Sequence, residues 1–478
     1  MLDESYARGV RSVLLSFLQT PERIMYRGRG TWRARASQPT LSGRGRGRSH
    51  LHTPKAPVNE SPLGPLVAKI IVDNATARLT TKAEDAKISD CKYAASYSLV
   101  DSKLPEVIIP GQPATWKPPQ LPVQLSGDHG DYLRDQNGAR FPHHPLLPAV
   151  QSLFALNDGF NPSSVDILGC ASSLGDILRF SRGIASTFRF DIEMVGNTLF
   201  LIRNHRSEVI PDVRGYGHTF LDAFTSYGAN VEGTKSHQRI VSYSFNGLKC
   251  VVRFECDAYF ENDGDPATSA SSSIALNLLN PPKPAVHVRS AGAAVPQDAI
   301  IEIKTRSQAG QPLDMNDHLP RLWLRQIPNL VAAYHGRGNF ENIQMNDVKK
   351  DVISWETEHT SELQQLGSVL RQLIVEAKRA SHLKLELCRT GTGPLELREQ
   401  NGGVREVLPA YWMEIWVGQQ HQGPESAAEV RISDEYDGEN CQSPSSDDLS
   451  SQSEGSDDDF ALDYTACSPS CGYCGHCV

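Results

Sequence analysis

The middle of the chain switches repeatedly between period-two and period-3.6 hydrophobic patterns, and these switches predict its elements. Phe188-Arg-Phe-Asp-Ile-Glu-Met alternates apolar and polar residues, Gly196-Asn197 makes a two-residue turn, and Leu199-Phe-Leu-Ile returns as the second strand of a hairpin. Residues 239–245 alternate again, and Asn246-Gly247 turns the chain into a further strand at 251–257. Ser, Ala, Pro and Gly then dominate to residue 295, which reads as an excursion between paired strands. Apolar strands follow at 299–305 and 330–334, and strands at 383–388 and 395–398 flank a Gly391/Gly393 turn. Leu146, Val150, Leu153 and Phe154 predict a helix over 143–156. Ser173 is placed to cap a helix running through Phe180. Pro320 is placed to start one through Gln326, with Pro328 ending it. Ser361 and Gln364 form a capping-box pattern before a face of Leu363, Leu366, Leu370, Leu373 and Ile374. Interleaved strands and helices of this kind predict an α+β fold around a central, mostly antiparallel mixed sheet flanked by helices. Its folded part begins near Ile88 and is closed by 408–416.

Charge changes this picture at the two ends. The 478 residues carry a formal net charge of -9, but the first fifty or so are basic and the last fifty acidic. Residues 1–65 read as a basic, disordered Arg/Gly-rich tail, in which Arg27, Arg29, Arg44, Arg46 and Arg48 alternate with glycine and no hydrophobic period is present. Arg-Gly tracts contact RNA phosphates and stack on bases, so these five arginines are candidate RNA ligands. The candidate domain spans 86–418, and 423–466 reads as an acidic disordered linker; between Ser433 and Asp463 there is no Lys or Arg. No apolar run approaches the roughly 20 residues that a membrane span needs.

The candidate chemistry lies on two short acidic strands. In Val251-Val-Arg-Phe-Glu255-Cys-Asp257, Glu255 and Asp257 share one face; in Ala299-Ile-Ile-Glu302-Ile-Lys304-Thr, Glu302 and Lys304 share one face. If the strands pair, three carboxylates and one ammonium converge. Carboxylates that close raise each other's pKa unless a counter-charge is present. A hard cation such as Mg2+ or Mn2+ would supply that charge through oxygen ligands, and Lys304 would orient a water nucleophile or hold a phosphate oxygen. At the C-terminus, Cys467, Cys471, Cys474 and Cys477 in residues 467–478 have spacing suited to a tetrahedral Zn2+ site.

Several of these features occur in an order that resembles the eukaryotic decapping exoribonuclease family, of which the chain looks like a divergent member. The matching residues are Arg182-Gly183, Glu255-Cys-Asp257, Glu302-Ile-Lys304-Thr305 and Leu322-Trp-Leu-Arg-Gln326-Ile-Pro; Leu408-Pro-Ala-Tyr-Trp412-Met-Glu-Ile looks like the family's last strand. The resemblance implies a PD-(D/E)XK nuclease-like domain. It also implies metal-dependent hydrolysis of RNA 5′ ends (incomplete, triphosphate or NAD caps), with 5′–3′ exonuclease activity. By the same resemblance, Glu255, Asp257, Glu302 and the Ile303 carbonyl bind metal. Glu302, Lys304 and Gln326 carry the catalysis, with Lys304 and Gln326 positioning phosphate and water, and Arg182 contacts an RNA phosphate. It further implies a 5′–3′ exoribonuclease partner and a nuclear or cytoplasmic location. One departure stands out. Where the family has a metal-binding Glu after a Gly-aromatic-x-aromatic run, this chain has Leu221, and Asp222 comes one place later. Asp222 either substitutes through a local shift or the contact is lost.

Two functional classes therefore compete: an Mg2+/Mn2+-dependent RNA 5′-end hydrolase, and a nuclease fold kept as a non-catalytic RNA- or protein-binding scaffold. An isoprenoid diphosphate synthase is excluded. Its paired Asp-rich motifs sit on helices, whereas here the one comparable run, Asp457-Asp-Asp, lies outside the hairpin-rich middle.

Overall fold

A computed structural model describes residues 62–72, 77, 81–203, 209–261, 286–310, 313–401 and 406–421. The candidate RNA-binding arginines of the N-terminal tail and the four C-terminal cysteines lie outside the described residues.

The chain adopts a mixed α/β fold. Its elements are β1 (Leu66–Ile70), β2 (Ile88–Val100), β3 (Glu106–Gly111), β4 (Thr115–Trp116), β5 (Val123–Gln124), β6 (Tyr132–Leu133), α1 (Gln136–Arg140) and α2 (Leu147–Leu156). Then come β7 (Ile167–Cys170), α3 (Ala171–Ser181), β8 (Phe188–Val195), β9 (Thr198–Ile202), β10 (Val209–Ile210), α4 (Gly217–Phe224), β11 (Thr225–Ser226), β12 (Thr234–Phe245), β13 (Leu248–Cys256) and β14 (Ala258–Tyr259). The remainder is β15 (His287–Gly292), β16 (Ile300–Ser307), α5 (Met315–Arg325), β17 (Asn329–Gly336), β18 (Asn339–Asp347), α6 (Lys349–Glu358), α7 (Thr360–Arg379), β19 (Leu385–Arg389), β20 (Leu395–Glu399) and α8 (Ala410–His421).

Apart from the two-stranded pair β6–β10, the strands divide between two large sheets. One has the order β1-β20-β19-β8-β9-β7-β13-β12-β2-β3-β15, the other β11-β4-β14-β16-β17-β18-β5. Most pairs are antiparallel; β7 runs parallel to both β9 and β13, as does β16 to β17. Strand β13 belongs to the first sheet and β14 to the second, so the chain crosses between sheets at Asp257. The two acidic strands thus do not pair directly: β14, which continues β13, pairs with β16 through Ala258–Ile301 and Tyr259–Ile300.

Helices cover both faces of the larger sheet. Leu174, Ile177, Leu322, Trp323, Leu366 and Leu370 from α3, α5 and α7 share one core with Val252 and Phe254. On the other side Val150, Leu153, Trp412 and Trp416 from α2 and α8 pack with Val251. Alternation along β13 therefore sends Val252, Phe254 and Cys256 into one core, while Arg253, Glu255 and Asp257 share the opposite parity.

The hairpin β12–β13 turns at Asn246 (φ 52°) and Gly247 (φ 73°), the left-handed pair that a two-residue hairpin demands. A Cβ at Gly247 would meet only the Arg371 guanidinium at 3.7 Å, so space is not the constraint. Gly247→Ala is expected to cost roughly 1–2 kcal/mol through backbone strain alone, read as a lowered urea midpoint with an unchanged m value.

Local expectations fail at the helix ends. Segment 408–416 is helical from Ala410 onward, not a last strand: Trp412 and Trp416, one turn apart, are both buried while Glu414 is exposed, whereas a strand would put all three on one face. Ser173 lies inside α3, which starts at Ala171. Pro320 is inside α5, whose cap is Asp314 accepting from the Asn316 amide at 2.9 Å. Ser361 is inside α7, and the Gln364 amide donates to the Thr81 carbonyl at 2.8 Å instead of closing a capping box. The excursion at 259–295 contains β15, hydrogen-bonded in parallel to β3. Upstream of Ile88, β1 already pairs with β20.

Candidate active site

The crossing at Asp257 places the acidic residues. Asp257 follows the last residue of β13, and its Oδ2 accepts the Ile303 backbone N–H at 2.8 Å, which ties the end of β13 to β16. In a strand the N–H and C=O of one residue leave by the same edge, so the Ile303 carbonyl also points toward Asp257. One step before it, Glu302 is 3 % exposed and both its oxygens are engaged. Lys304 Nζ lies 2.6 Å from Oε1, and Arg325 Nη1 lies 2.9 Å from Oε2. Lys304 comes from the same face of β16; Arg325 comes from the last turn of α5.

The electrostatics follow from this unequal pairing. Burial raises the Glu255 carboxyl to about 7, helped by Asp135 and Asp257 and opposed by Arg253 and Arg325. Burial also raises Asp257, with Glu302 adding to the effect, while Lys304 and the Ile303 amide oppose it. Burial alone would raise Glu302 too, but Lys304 and Arg325 overcome it and hold this carboxyl well below the usual range. Arg253 cannot relieve Glu255 fully, because it is shared with Asp135 at 3.3 Å and Gln238 at 3.1 Å. Burial, then the charges of Glu255, Cys256, Asp257 and Asp222, push the Tyr227 hydroxyl up, so Tyr227 stays neutral. Asp222 itself is exposed on α4, whose Phe220 is fully buried against Phe340 and Trp116.

Beside the cluster, α3 and α5 enclose a cavity of about 100 Å3 lined by Arg179, Arg182, Arg321 and Arg325, with Ser172 and Asn316. Arg182 is the C-cap of α3, and Gly183 (φ 69°) ends the helix with its N–H on the Phe180 carbonyl at 2.9 Å. The Arg182 guanidinium also lies 5.6 Å from the Trp355 ring centroid. His318 sits on α5 one turn before Arg321; burial and the nearby Lys304 and Arg321 cations push it down to about 3, so it adds no charge.

Of the residues singled out in the sequence, Glu255, Asp257, Glu302, Ile303 and Lys304 thus share one locality, with Arg182 in the adjoining cavity. The Gln326 side chain does not join them. Gln326 adopts a left-handed conformation (φ 53°) as the C-cap of α5, and its amide folds back to the Trp323 carbonyl at 2.6 Å. Its neighbour Arg325 makes the contact with Glu302. The sequence does carry a signal for Arg325: His318, Arg321 and Arg325 recur at helical spacing within the buried stretch 318–325 of α5. Asp135 and Arg253 were likewise missed, since only the tertiary fold brings the cap of α1 to β13.

The donor chemistry fits a hard divalent cation. Glu255 and Asp257 are partly buried oxygen donors whose carboxyls burial and neighbouring acids push up in spite of the nearby Arg253, Arg325 and Lys304, and the Ile303 carbonyl is aimed alongside them. As the side chains stand, no three His, Cys, Asp or Glu groups among the described residues close into a metal-holding set. Both Glu302 oxygens are turned to Lys304 and Arg325 instead.

Known proteins are similar to the chain in two ways. A family model described as a domain of unknown function (DUF8563) matches residues 69–384. Among solved structures, Scheffersomyces stipitis Rai1 in complex with (3′-NADP)+ and calcium is 11% identical, covers 75% of this chain and 99% of that one, and has a TM-score of 0.49. Candida albicans Rai1 in complex with pU5 and Mn2+ is 12% identical over 75% and 100% of the two chains, with a TM-score of 0.45. A mutant S. pombe Rai1 in complex with 3′-FADP is 13% identical over 66% and 94%, with a TM-score of 0.43. No curated protein matches the chain. On the match over residues 69–384, which spans the acidic cluster, the arginine-lined cavity and most strands of both large sheets, the chain belongs to the DUF8563 family.

Proposed function

We propose that the protein is a divalent-metal-dependent hydrolase that acts on phosphorylated or capped RNA 5′ ends, with the arginine-lined cavity receiving the 5′ phosphates. The single observation that carries this reading is the juxtaposition of opposite needs. Glu255 and Asp257 are partly buried acids whose carboxyls are pushed up in the chain alone, and the adjoining cavity has four arginines on its wall. An RNA 5′ end with its cation satisfies both.

Glu255, Asp257 and the Ile303 carbonyl would hold the cation, with Glu302 beside them and Asp222 contributing from α4. When bound, a divalent cation supplies Lewis-acid charge at a phosphoryl oxygen. Arg179, Arg182 and Arg321 bind and orient the phosphates by charge-assisted hydrogen bonds. Lys304, fixed by Glu302 at 2.6 Å, orients the attacking water or steadies the scissile phosphate. The sequence resemblance to decapping exoribonucleases supports the same substrate class. A 5′–3′ exoribonuclease in the nucleus or cytoplasm is the partner that would consume a monophosphorylated product.

One observation favours a second reading, a non-catalytic RNA-binding scaffold: Glu302 is fully neutralised within the chain by Lys304 and Arg325. Purified full-length protein, incubated with Mg2+ or Mn2+ and a panel of triphosphate, monophosphate, NAD-capped and unmethylated-capped RNAs, separates the two. Release of a 5′ product that disappears in Asp257→Ala supports the hydrolase; salt-sensitive RNA binding without product supports the scaffold. In either case Arg182→Ala is expected to weaken binding of a 5′-phosphorylated RNA about 10-fold at 0.1 M salt. It should leave binding of the same RNA with a 5′ hydroxyl unchanged, as read by fluorescence anisotropy.

A further inference from the structure

Arg325 borders two sites at once. Its Nη1 donates to Glu302 Oε2 at 2.9 Å, and the same side chain lines the cavity that Arg179, Arg182 and Arg321 share. A guanidinium does not lose its proton in a protein, so at 7 % exposure Arg325 must always have an anion beside it. In the chain alone that anion is Glu302. With Lys304 on Oε1, both oxygens that could face a cation are occupied. A tetrahedral dianion in the cavity would offer Arg325 a second, bidentate partner. Because Lys304 still neutralises Glu302, the exchange leaves no bare carboxylate behind.

We propose that Arg325 is a counter-ion shared between the acidic cluster and the cavity, a positioning residue that couples anion binding to cation binding. Without an anion, Arg325 keeps Glu302 turned away from a metal. With one, Arg325 transfers to the anion and Glu302 turns toward Asp257. By linkage, each ligand then raises the affinity for the other by the same factor. The proposal rests on the reading that Glu255, Asp257 and Glu302 hold a divalent cation.

The test is Mn2+ binding to the full chain, followed by the electron paramagnetic resonance signal of free Mn2+, in chloride and in sulfate at equal ionic strength. Protein-free controls correct for Mn2+ pairing with sulfate. Sulfate is expected to tighten Mn2+ binding to the wild type roughly 5–10-fold, the lower part of the usual coupling range. Arg325→Gln should bind Mn2+ about 10-fold more tightly than the wild type in chloride and respond little to sulfate. The doubly substituted E302Q/R325Q should lose that gain, since the released ligand is gone. A wild type insensitive to sulfate overturns the coupling without relying on any variant. So does an Arg325→Gln variant no tighter than the wild type, or a gain that persists in E302Q/R325Q. If no form binds Mn2+ in either anion, the metal-dependent reading itself fails. If all forms bind it equally, only the role of Arg325 does.

Discussion

Asp257→Asn is expected to lower the rate of 5′-end hydrolysis by about 10³-fold, or ~4 kcal/mol of transition-state stabilisation, with a correctly folded protein. The amide keeps the shape of the side chain and an oxygen to accept the Ile303 N–H, now 2.8 Å away, so the tie between β13 and β16 survives. What is lost is a negative charge next to Glu302 and Glu255. A hard cation depends on that charge for its affinity, whereas a neutral amide oxygen is a weak donor. Loss of metal and loss of rate should therefore run together, measured as product release at saturating RNA over a Mn2+ titration. Far-ultraviolet circular dichroism and the urea midpoint should stay at or above the wild-type values, because Asp257 is a group that burial already disfavours as an anion. A variant that hydrolyses at the wild-type rate would remove Asp257 from the site.

The sequence made the β-structure legible and the helix termini much less so. Both Gly-containing hairpin turns, at Gly196 and at Asn246-Gly247, fall where the alternating runs meet, because the left-handed backbone there is local chemistry that only a few residue types tolerate. Helix caps are different: the N-cap residues of α3 and α7 are Cys170 and His359, neither of which caps through its side chain, since packing against neighbouring elements fixes where these helices start. In the same way, Trp412 and Trp416 fit a strand or a helix by spacing, and only the exposure of the intervening Glu414 decides.

At the candidate site, the sequence showed which acids share a face but not how charge is divided among them. Glu255, Asp257 and Glu302 look alike as residues. Their surroundings differ because Arg325 arrives from α5 and Asp135 from the cap of α1, both far away along the chain. One residue at a helix end separates Gln326, whose side chain turns back onto Trp323, from Arg325, which meets Glu302. At 100° per residue, that is enough to redirect a side chain from a buried cluster to the helix's own last turn. A helix C-terminus closed by a residue at φ 53° is not something that an arginine-glutamine pair announces.

The division of charge has a thermodynamic signature, and Glu255→Gln should expose it. Glu255 is raised from 4.5 to about 7 in the folded chain, first by burial and then by Asp135 and Asp257. Between these two values the folded protein holds a proton that the unfolded chain has released. Stability must therefore fall as pH rises from about 4.5 to about 7, and stay at the lower level above that. A shift of this size corresponds to about 3 kcal/mol; with Glu255 only partly buried, solvent screening brings the expected loss to on the order of 2 kcal/mol. Glutamine removes the titration. In urea unfolding with EDTA present, Glu255→Gln should match the wild type near pH 4.5 and exceed it by that margin at pH 8. The order should reverse when Mn2+ is added at pH 8, because the cation stabilises only the form that keeps the carboxylate. A wild type whose urea midpoint is flat from pH 5 to pH 8 would mean that Glu255 is already compensated, and that the fold holds no unmet demand for a cation at this position.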